Sequence, residues 1–367
     1  MVDSTETVTT RSVSSDEAFL ARSEQPNVER NPLTEIPVID FSPFVQGGSR
    51  AAREAVARQV RAACIDIGFF YMVGHGIDQA EIDGVIEWGH AFFGLPLEVK
   101  MALHRNNDPT QSNGYMPSGG TEASSADLKE NFAMSREVDP GEPAEGRYAA
   151  GRSQWPDPGV LPGFEDAMKA HIEKRTALGQ VTAKAFALSL GLPETYFDDS
   201  FRHPGCNLVY NYYPPLQTGR IERTQWSIAP HADYGAFTML AQDSNNGLQI
   251  RNSAGEWIEA RPIPGAFVIN IGDTMARWTN DLYASSLHRA ANYNSGIRVS
   301  VPFFVFPNGR TEIRCLETCH GPDNPPRYEP ILAQDYMLEM LSRYFRMGRP
   351  SISPENIERL RSQAGIP

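Results

Sequence analysis

Apolar positions recur along this chain at two different periods, and the change of period divides it. Residues 1–33 are rich in Ser, Thr, Glu and Asn and have too little apolar content to offset the entropy of ordering, so they predict a flexible leader. Ile36-Pro-Val-Ile-Asp40 is a short β-type run, and Val56, Val60, Ala63 and Ile67 then repeat at helical spacing before Gly68-Phe-Phe-Tyr-Met-Val73, which predicts a strand. A second helix carries Ile82, Val85, Ile86, Phe92 and Phe93 on one side before Pro96. A third, with Met168, Ile172, Leu178, Val181, Ala185 and Leu188, stops at Gly191-Leu-Pro193.

From Cys206 to about Phe306 the texture changes to short alternating or apolar runs separated by Gly, Asn and Pro: CNLVYNYYP, AFTMLAQD, GLQIR, AFVINIGD and RVSVPFFVFP. That spacing predicts a barrel or a two-sheet sandwich. A last helical stretch, with Met337, Met340, Leu341, Tyr344 and Phe345, is expected to fold back over it. The predicted class is therefore mainly β with flanking helices. Residues 34–367 form a single domain, with a helical N-terminal part over 34–205, a β core over 206–310 and a C-terminal helical segment over 331–367. There is no internal repeat.

Composition narrows the function. A chain 41% hydrophobic and 21% charged, with 30 Gly and 28 Pro, is globular and rich in turns. Lys plus Arg number 33 against 45 Asp plus Glu, a formal charge of -12, so there is no basic surface to release counterions from nucleic acid, and that partner is not expected. The N-terminus MVDSTETVTTRSVSSDEAF has no targeting pattern, and no later run approaches ~18 consecutive apolar residues; a soluble, cytoplasmic protein without a membrane partner is expected. Four cysteines are too few and too scattered for a disulfide framework. Cys315-x₃-Cys319-His320 lacks a fourth zinc ligand nearby and is expected to be ordinary loop.

Pro230-His231-Ala-Asp233-Tyr-Gly235 sets an imidazole and a carboxylate two residues apart, and the two-residue period of a strand would turn both onto one face. His288, 55 residues after Asp233, supplies a third ligand from another strand. Two imidazoles and one carboxylate leave three octahedral positions open, which suits an Fe(II) oxygenase that binds both O₂ and a cosubstrate. Ten residues beyond His288, Arg298-Val-Ser300 places a guanidinium and a hydroxyl side by side, suited to a bidentate grip on a carboxylate. Asn207, Val209, Asn211 and Tyr213 share a strand face, from which Asn211 and Tyr213 offer an amide and a phenol to a ligand.

These motifs, with Ile-Pro-Val-Ile-Asp40, Gly68-Phe-Phe-Tyr-Met-Val-Gly-His-Gly76, Phe92-Phe-Gly-Leu-Pro96 with Lys100, Asp127-Leu-Lys-Glu130, Asn211-Tyr-Tyr-Pro214 and Asn270-Ile-Gly-Asp273, resemble the isopenicillin-N-synthase-like branch of the 2-oxoglutarate and iron(II)-dependent dioxygenases over residues 34–345. The resemblance implies a double-stranded β-helix, a jelly-roll of cupin-like form, flanked by helices. It implies iron on His231, Asp233 and His288, and 2-oxoglutarate held by Arg298, Ser300, Tyr213 and Asn211. The implied reaction consumes O₂ and 2-oxoglutarate, releases succinate and CO₂, and hydroxylates, desaturates or cyclises a small organic metabolite.

Two alternatives stay open on the residues alone. One is a 2-oxoglutarate-independent oxidase of the same branch, in which Arg298 and Ser300 grip the substrate's own carboxylate; the other is a non-catalytic β-helix protein that binds a small ligand. Tyr115, Phe237, Trp278 and Phe304 are candidates for an aromatic substrate wall, and residues 112–125 and 139–143 are candidate border loops. His75 sits in a turn-like Gly pair and reads as structural, while His90, His104, His171, His203 and His320 have no partner at ligand spacing. Asp273 is expected to organise the loop before Trp278.

Overall fold

The computed structural model describes residues 28–107, 113–118, 128–138, 153–215, 227–292 and 294–346. Strands β1 (Val38–Asp40) and β2 (Phe69–Val73) flank helices α1 (Ser42–Val45) and α2 (Arg50–Asp66). Ser49 caps α2 by accepting from the Ala52 amide, and Val56, Val60 and Ala63 form its buried stripe. Helices α3 (Gln79–Phe93) and α4 (Leu97–Ala102) follow, then β3 (Gly114–Met116), β4 (Glu130–Ser135), the long α5 (Phe164–Ser189) and β5 (Gly205–Tyr213). The remaining elements are β6 (Ile228–His231), β7 (Phe237–Gln242), β8 (Leu248–Arg251), β9 (Trp257–Glu259), β10 (Phe267–Ile271), α6 (Asp273–Trp278), β11 (His288–Ala290), β12 (Arg298–Phe306), β13 (Glu312–Ile313), β14 (Ile331–Leu332) and α7 (Ala333–Arg346).

The strands form a large sheet in the order β1-β2-β10-β7-β12-β5-β4-β3 and a small one in the order β6-β11-β8-β9. Among the described strands of the large sheet only β1 and β2 pair in parallel. This is the jelly-roll core, but its boundary differs from the expected one. The N-terminal part is not simply helical: it supplies β1 and β2 to one side of the large sheet and β3 and β4 to the other edge.

Strand parity gives the large sheet two chemically different faces. Leu208, Tyr210, Phe237, Met239, Ile269, Val301 and Phe303 join one apolar cluster with residues of α2, α3 and α5. The opposite parity carries Asn211, Thr238, Gln242, Asn270, Arg298 and Ser300, aligned across β5, β7, β10 and β12. Over this second face lies the small sheet, joined to it by a smaller cluster in which Leu248 and Ile250 meet Phe69, Tyr71 and Val268.

One cation is built into the apolar side. Arg175 of α5 is fully buried, donates to the Val301 and Met239 carbonyls and lies over the Phe267 and Phe303 rings at 4.5 and 5.2 Å. It ties the helix layer to β7 and β12, the strands behind the site. Burial pushes its guanidinium down to about 9, still protonated at neutral pH. At the other end of the fold, α7 brings Tyr336 onto the Arg277 guanidinium of α6 at 5.0 Å, while the side chains of Leu341, Tyr344 and Phe345 lie outside the described residues. Among the described residues no helix is long and apolar enough to cross a membrane.

The leader boundary also moves. Arg30 donates to the backbone carbonyls of Ile65, Leu282 and Asp281, Asn31 bonds the Asp66 carboxylate, and the Leu33 carbonyl accepts from Asn252. Leu33 also packs against the smaller apolar cluster. Composition missed this because one arginine and one leucine make most of the contact. At roughly 1 kcal/mol per net hydrogen bond and about 1–2 °C of melting temperature per kcal/mol for a chain of this length, removing residues 1–33 is expected to lower Tm by roughly 5–10 °C in scanning calorimetry, where a wholly unattached leader would leave it unchanged.

Candidate metal centre

In the small sheet β6 and β11 are antiparallel neighbours, with His231 directly opposite His288. Each ring is turned by its own chain: His231 Nδ1 lies 2.9 Å from the Ala229 carbonyl and His288 Nδ1 3.2 Å from that of Ser286. A carbonyl only accepts, so Nδ1 carries the proton and Nε2 keeps its lone pair. The two Nε2 atoms stand 3.8 and 3.7 Å from Asp233 Oδ1, and the three ligand atoms lie within 4.8 Å of one another. Among the described residues this is the one cluster of such side chains able to hold a metal ion. Nitrogen and carboxylate donors of this kind suit Fe(II).

Asp233 reaches this point by a different route from the expected one. β6 ends at His231, so Asp233 stands beyond the strand, and strand period does not align the pair. The turn that carries it is pinned from below: the Asp273 amide donates to the Asp233 carbonyl at 2.7 Å, and the Thr274 amide and hydroxyl donate to the Gly235 and Tyr234 carbonyls. Gly272 permits this approach, since a Cβ there would stand 2.3 Å from the Gly235 oxygen. Asp273 thus organises the turn that carries Asp233, through its backbone.

Two side chains that the sequence reading did not single out aim the carboxylate. Thr238 Oγ1 and Asn270 Nδ2 donate to Asp233 Oδ2 at 2.6 and 2.7 Å, leaving Oδ1 toward the histidines. The available signal was a polar residue interrupting each apolar strand, in Phe237-Thr-Met and Ile269-Asn-Ile. Burial pushes the Asp233 carboxyl up, but His288 and His231 beside it, with the Thr238 and Asn270 hydrogen bonds, outweigh this and hold it below the usual carboxylate range. Burial, reinforced by His288, pushes His231 down, so its imidazole is neutral at neutral pH.

Farther along the same interior, Arg298 is 1% exposed. Its Nη2 donates to Gln242 Oε1 at 3.0 Å, its guanidinium lies 4.8 Å from the Tyr213 ring centroid, and the Tyr213 hydroxyl is 3.3 Å from Ser300 Oγ. Nε and Nη1 are buried without a hydrogen-bond partner. Leaving charged donors unsatisfied inside a protein costs several kcal/mol, which a carboxylate taken in bidentate fashion would offset. Gly247 opens this corner: its φ is 154°, and a Cβ would stand 2.1 Å from the Ala291 oxygen and 3.0 Å from Arg298 Nε. Asn211, directly opposite Ser300, is buried and accepts from Lys129 Nζ at 2.9 Å.

The aromatic candidates divide. Phe304 shares the interior face with Arg298 and Ser300, paired with Thr238. The other three are placed on the helix side, a correction to the aromatic wall. Phe237 packs against Phe186 and Phe201, Trp278 against Phe197 and Phe201, and Tyr115 is cross-strand partner to Phe132, its hydroxyl 2.5 Å from Glu130. That Glu130 carboxylate also takes Lys100 at 2.7 Å. Residues 112, 119–125 and 139–143 of the expected border loops lie outside the described residues, and 113–118 carry β3. His75 is structural: it bridges the Gly265 carbonyl and the Ile77 amide under the Phe267 ring. Cys315 and Cys319 are buried and free, with no metal cluster at them among the described residues.

Comparison with known proteins agrees with this geometry. Residues 36–158 match the family described as the N-terminal region of non-haem dioxygenase in morphine synthesis, and residues 204–307 match the 2OG-Fe(II) oxygenase superfamily. A 2-oxoglutarate-Fe(II) type oxidoreductase, ppzC, of Metarhizium rileyi is 35% identical over 93% of this chain and 98% of its own. The 2-oxoglutarate-Fe(II) type oxidoreductase hxnY of Emericella nidulans is 33% identical over 82% of this chain and 87% of its own. The crystal structure of Neurospora crassa T7H with α-ketoglutarate and thymine superimposes with a TM-score of 0.76 at 27% identity, covering 86% of this chain and 98% of that one. This chain belongs to the 2-oxoglutarate- and iron(II)-dependent oxygenases, and it is a dioxygenase that uses Fe(II), 2-oxoglutarate and O₂ on a small organic substrate.

The two donors on Oδ2 carry their own expectation. Thr238→Val and Asn270→Leu together should weaken metal binding by about 10- to 100-fold, the usual scale for outer-shell partners, with each single change milder. Zn(II) titration with a competing chromophoric chelator measures this, and an unchanged affinity in the double variant would show that the turn alone aims Asp233.

Proposed function

We propose that His231 Nε2, Asp233 Oδ1 and His288 Nε2 hold the Fe(II), and that Arg298, Ser300, Tyr213 and Asn211 receive 2-oxoglutarate. The observation that carries this is Arg298: a buried guanidinium with Nε and Nη1 unpartnered, on the interior that also holds the triad. Three protein ligands leave coordination positions for the cosubstrate and O₂. Bound there, iron with these two supplies an oxidant for a substrate C–H bond, and 2-oxoglutarate leaves as succinate and CO₂. The chain does the rest. Arg298 and Ser300 take the distal carboxylate and set its direction, while Tyr213 orders the Ser300 hydroxyl and covers the guanidinium. Thr238 and Asn270 hold Asp233 ionised and aimed. Phe304 and the apolar residues between the sheets keep water from the reacting bond.

In a 2-oxoglutarate-independent oxidase, Arg298 would hold the substrate's carboxylate instead. Measuring O₂ uptake and succinate formation by anaerobically iron-loaded protein separates the readings. The proposal expects succinate in step with O₂; full-rate oxidation without 2-oxoglutarate would overturn it.

Arg298→Gln is expected to raise the KM for 2-oxoglutarate by about 100-fold, since a buried charge pair truncated on one side costs a few kcal/mol, with metal affinity unchanged. Arg298→Lys keeps charge without the planar fork and should fall between. His231→Ala, Asp233→Ala and His288→Ala should each lose metal and turnover while keeping the wild-type circular dichroism spectrum; normal activity in any of them would remove that residue from the ligand set.

A further inference from the structure

A cavity of about 560 Å³ lies apart from the proposed ligand groups, bounded by the β8–β9 turn, the start of α6, the segment that enters β11, Tyr328 and, from α7, Tyr336. None of the triad, Arg298, Ser300, Tyr213 or Asn211 lines it. It backs onto the metal centre instead, because its wall includes Asp273, whose amide holds the Asp233 carbonyl, and Ser286, whose carbonyl faces His288 Nδ1. Its volume falls within the range of about 300–1,000 Å³ typical of small-molecule sites, far above the roughly 30 Å³ share of a single water.

Two guanidinium groups in that wall have donors to spare. Arg277 gives Nη2 to the Glu329 carbonyl at 3.0 Å and lies over the Tyr328 and Tyr336 rings at 4.6 and 5.0 Å, while its Nε is buried without a hydrogen-bond partner. Arg251 gives Nε to the Gly255 carbonyl at 3.2 Å, and its two Nη groups meet no acceptor among the described residues. Ser285 Oγ, in the same wall, is also buried and unpartnered. The carboxylates do not cancel these cations. Asp66 accepts from Asn31 and faces Arg30, and Asp281 pairs with Arg327 at 3.3 Å and takes the Tyr328 hydroxyl. Arg251 and Arg277 therefore outnumber Asp273, the third carboxylate of the wall.

We propose that this cavity is a second binding site, for an organic monocarboxylate with an apolar body, whose carboxylate is taken by Arg251 and Arg277. A guanidinium has five N–H donors in a planar fork that matches a carboxylate, so each arginine can keep its carbonyl and also bind the ligand. Ser285 supplies a further hydroxyl. A surplus of one cation calls for one anionic group, and the volume left over calls for a body of several carbons. An inorganic anion would match the charge and leave most of the space unfilled. The site shares no residue with the proposed 2-oxoglutarate set, so it stands independently of what Arg298 holds.

The test uses full-length protein loaded with redox-inert Zn(II) and given 2-oxoglutarate in excess, so that the cosubstrate competes for any other carboxylate site. It is titrated calorimetrically with hexanoate, benzoate and 3-phenylpropanoate, each against its primary amide, and with inorganic phosphate. At least one acid is expected to bind 10-fold or more tighter than both its amide and phosphate. Arg251→Met and Arg277→Met are each expected to reduce the preference over the amide to 3-fold or less, with a wild-type circular dichroism spectrum and a cooperative melt certifying the fold. Arg277 also joins α6 to α7, so if its variant fails that control, Arg251→Met decides. No binding of any acid, no preference over the amide, phosphate binding as tightly as the best acid, or a preference that survives in a folded variant of either arginine would overturn the proposal.

Discussion

The chemistry of this protein depends on the pairing of β6 with β11. Antiparallel register puts His231 opposite His288, and the two carbonyls that take the Nδ1 protons turn both lone pairs to the same point. A short ladder brings together two imidazoles that lie 57 residues apart in the chain. The carboxylate is different. It lies outside the ladder and owes its place to a turn clamped by the start of α6 and to donors from β7 and β10. The metal centre therefore couples the two sheets, and iron would close that coupling in the way a structural ligand contributes to folding.

A second constraint follows from putting polar groups inside a sheet sandwich. Buried polar atoms are costly unless paired, and here the interior parity of the large sheet pairs nearly every one within its own rows: Gln242 with Arg298, Ser300 with Tyr213, Asn211 with Lys129, Asn131 with Arg105. On that face Arg298 keeps two buried donors, Nε and Nη1, without a hydrogen-bond partner. The opposite parity, sealed by α3 and α5 and tied by Arg175, provides the rigid backing.

Much of this was legible in the sequence, and the failures have physical causes. The helices carrying Val56, Ile86 and Met168 show a 3.6-residue period because each buries one stripe. The nine-residue strands were visible for different reasons: β5 alternates over most of its length, whereas β12 is a long apolar run buried almost throughout. β3 and β6, three and four residues long, are too short to show a period. The H-x-D tripeptide pointed to two side chains that do meet, but for a partly wrong reason, since a strand end followed by a pinned turn brings them together as a continuous strand would. The aromatic wall failed on parity: Phe304 shares even positions with Arg298 and Ser300, whereas Phe237 alternates with Thr238 and so faces the helices.

The central claim is that one metal and one cosubstrate share the interior between the two sheets, bound at separate groups of side chains. A crystal structure of the protein grown anaerobically with Mn(II) and 2-oxoglutarate tests it most directly. The account predicts anomalous density for a single metal on His231 Nε2, Asp233 Oδ1 and His288 Nε2, with the distal carboxylate of 2-oxoglutarate against Arg298 Nε and Nη1. Metal bound elsewhere, or 2-oxoglutarate bound without contact to Arg298, would contradict it.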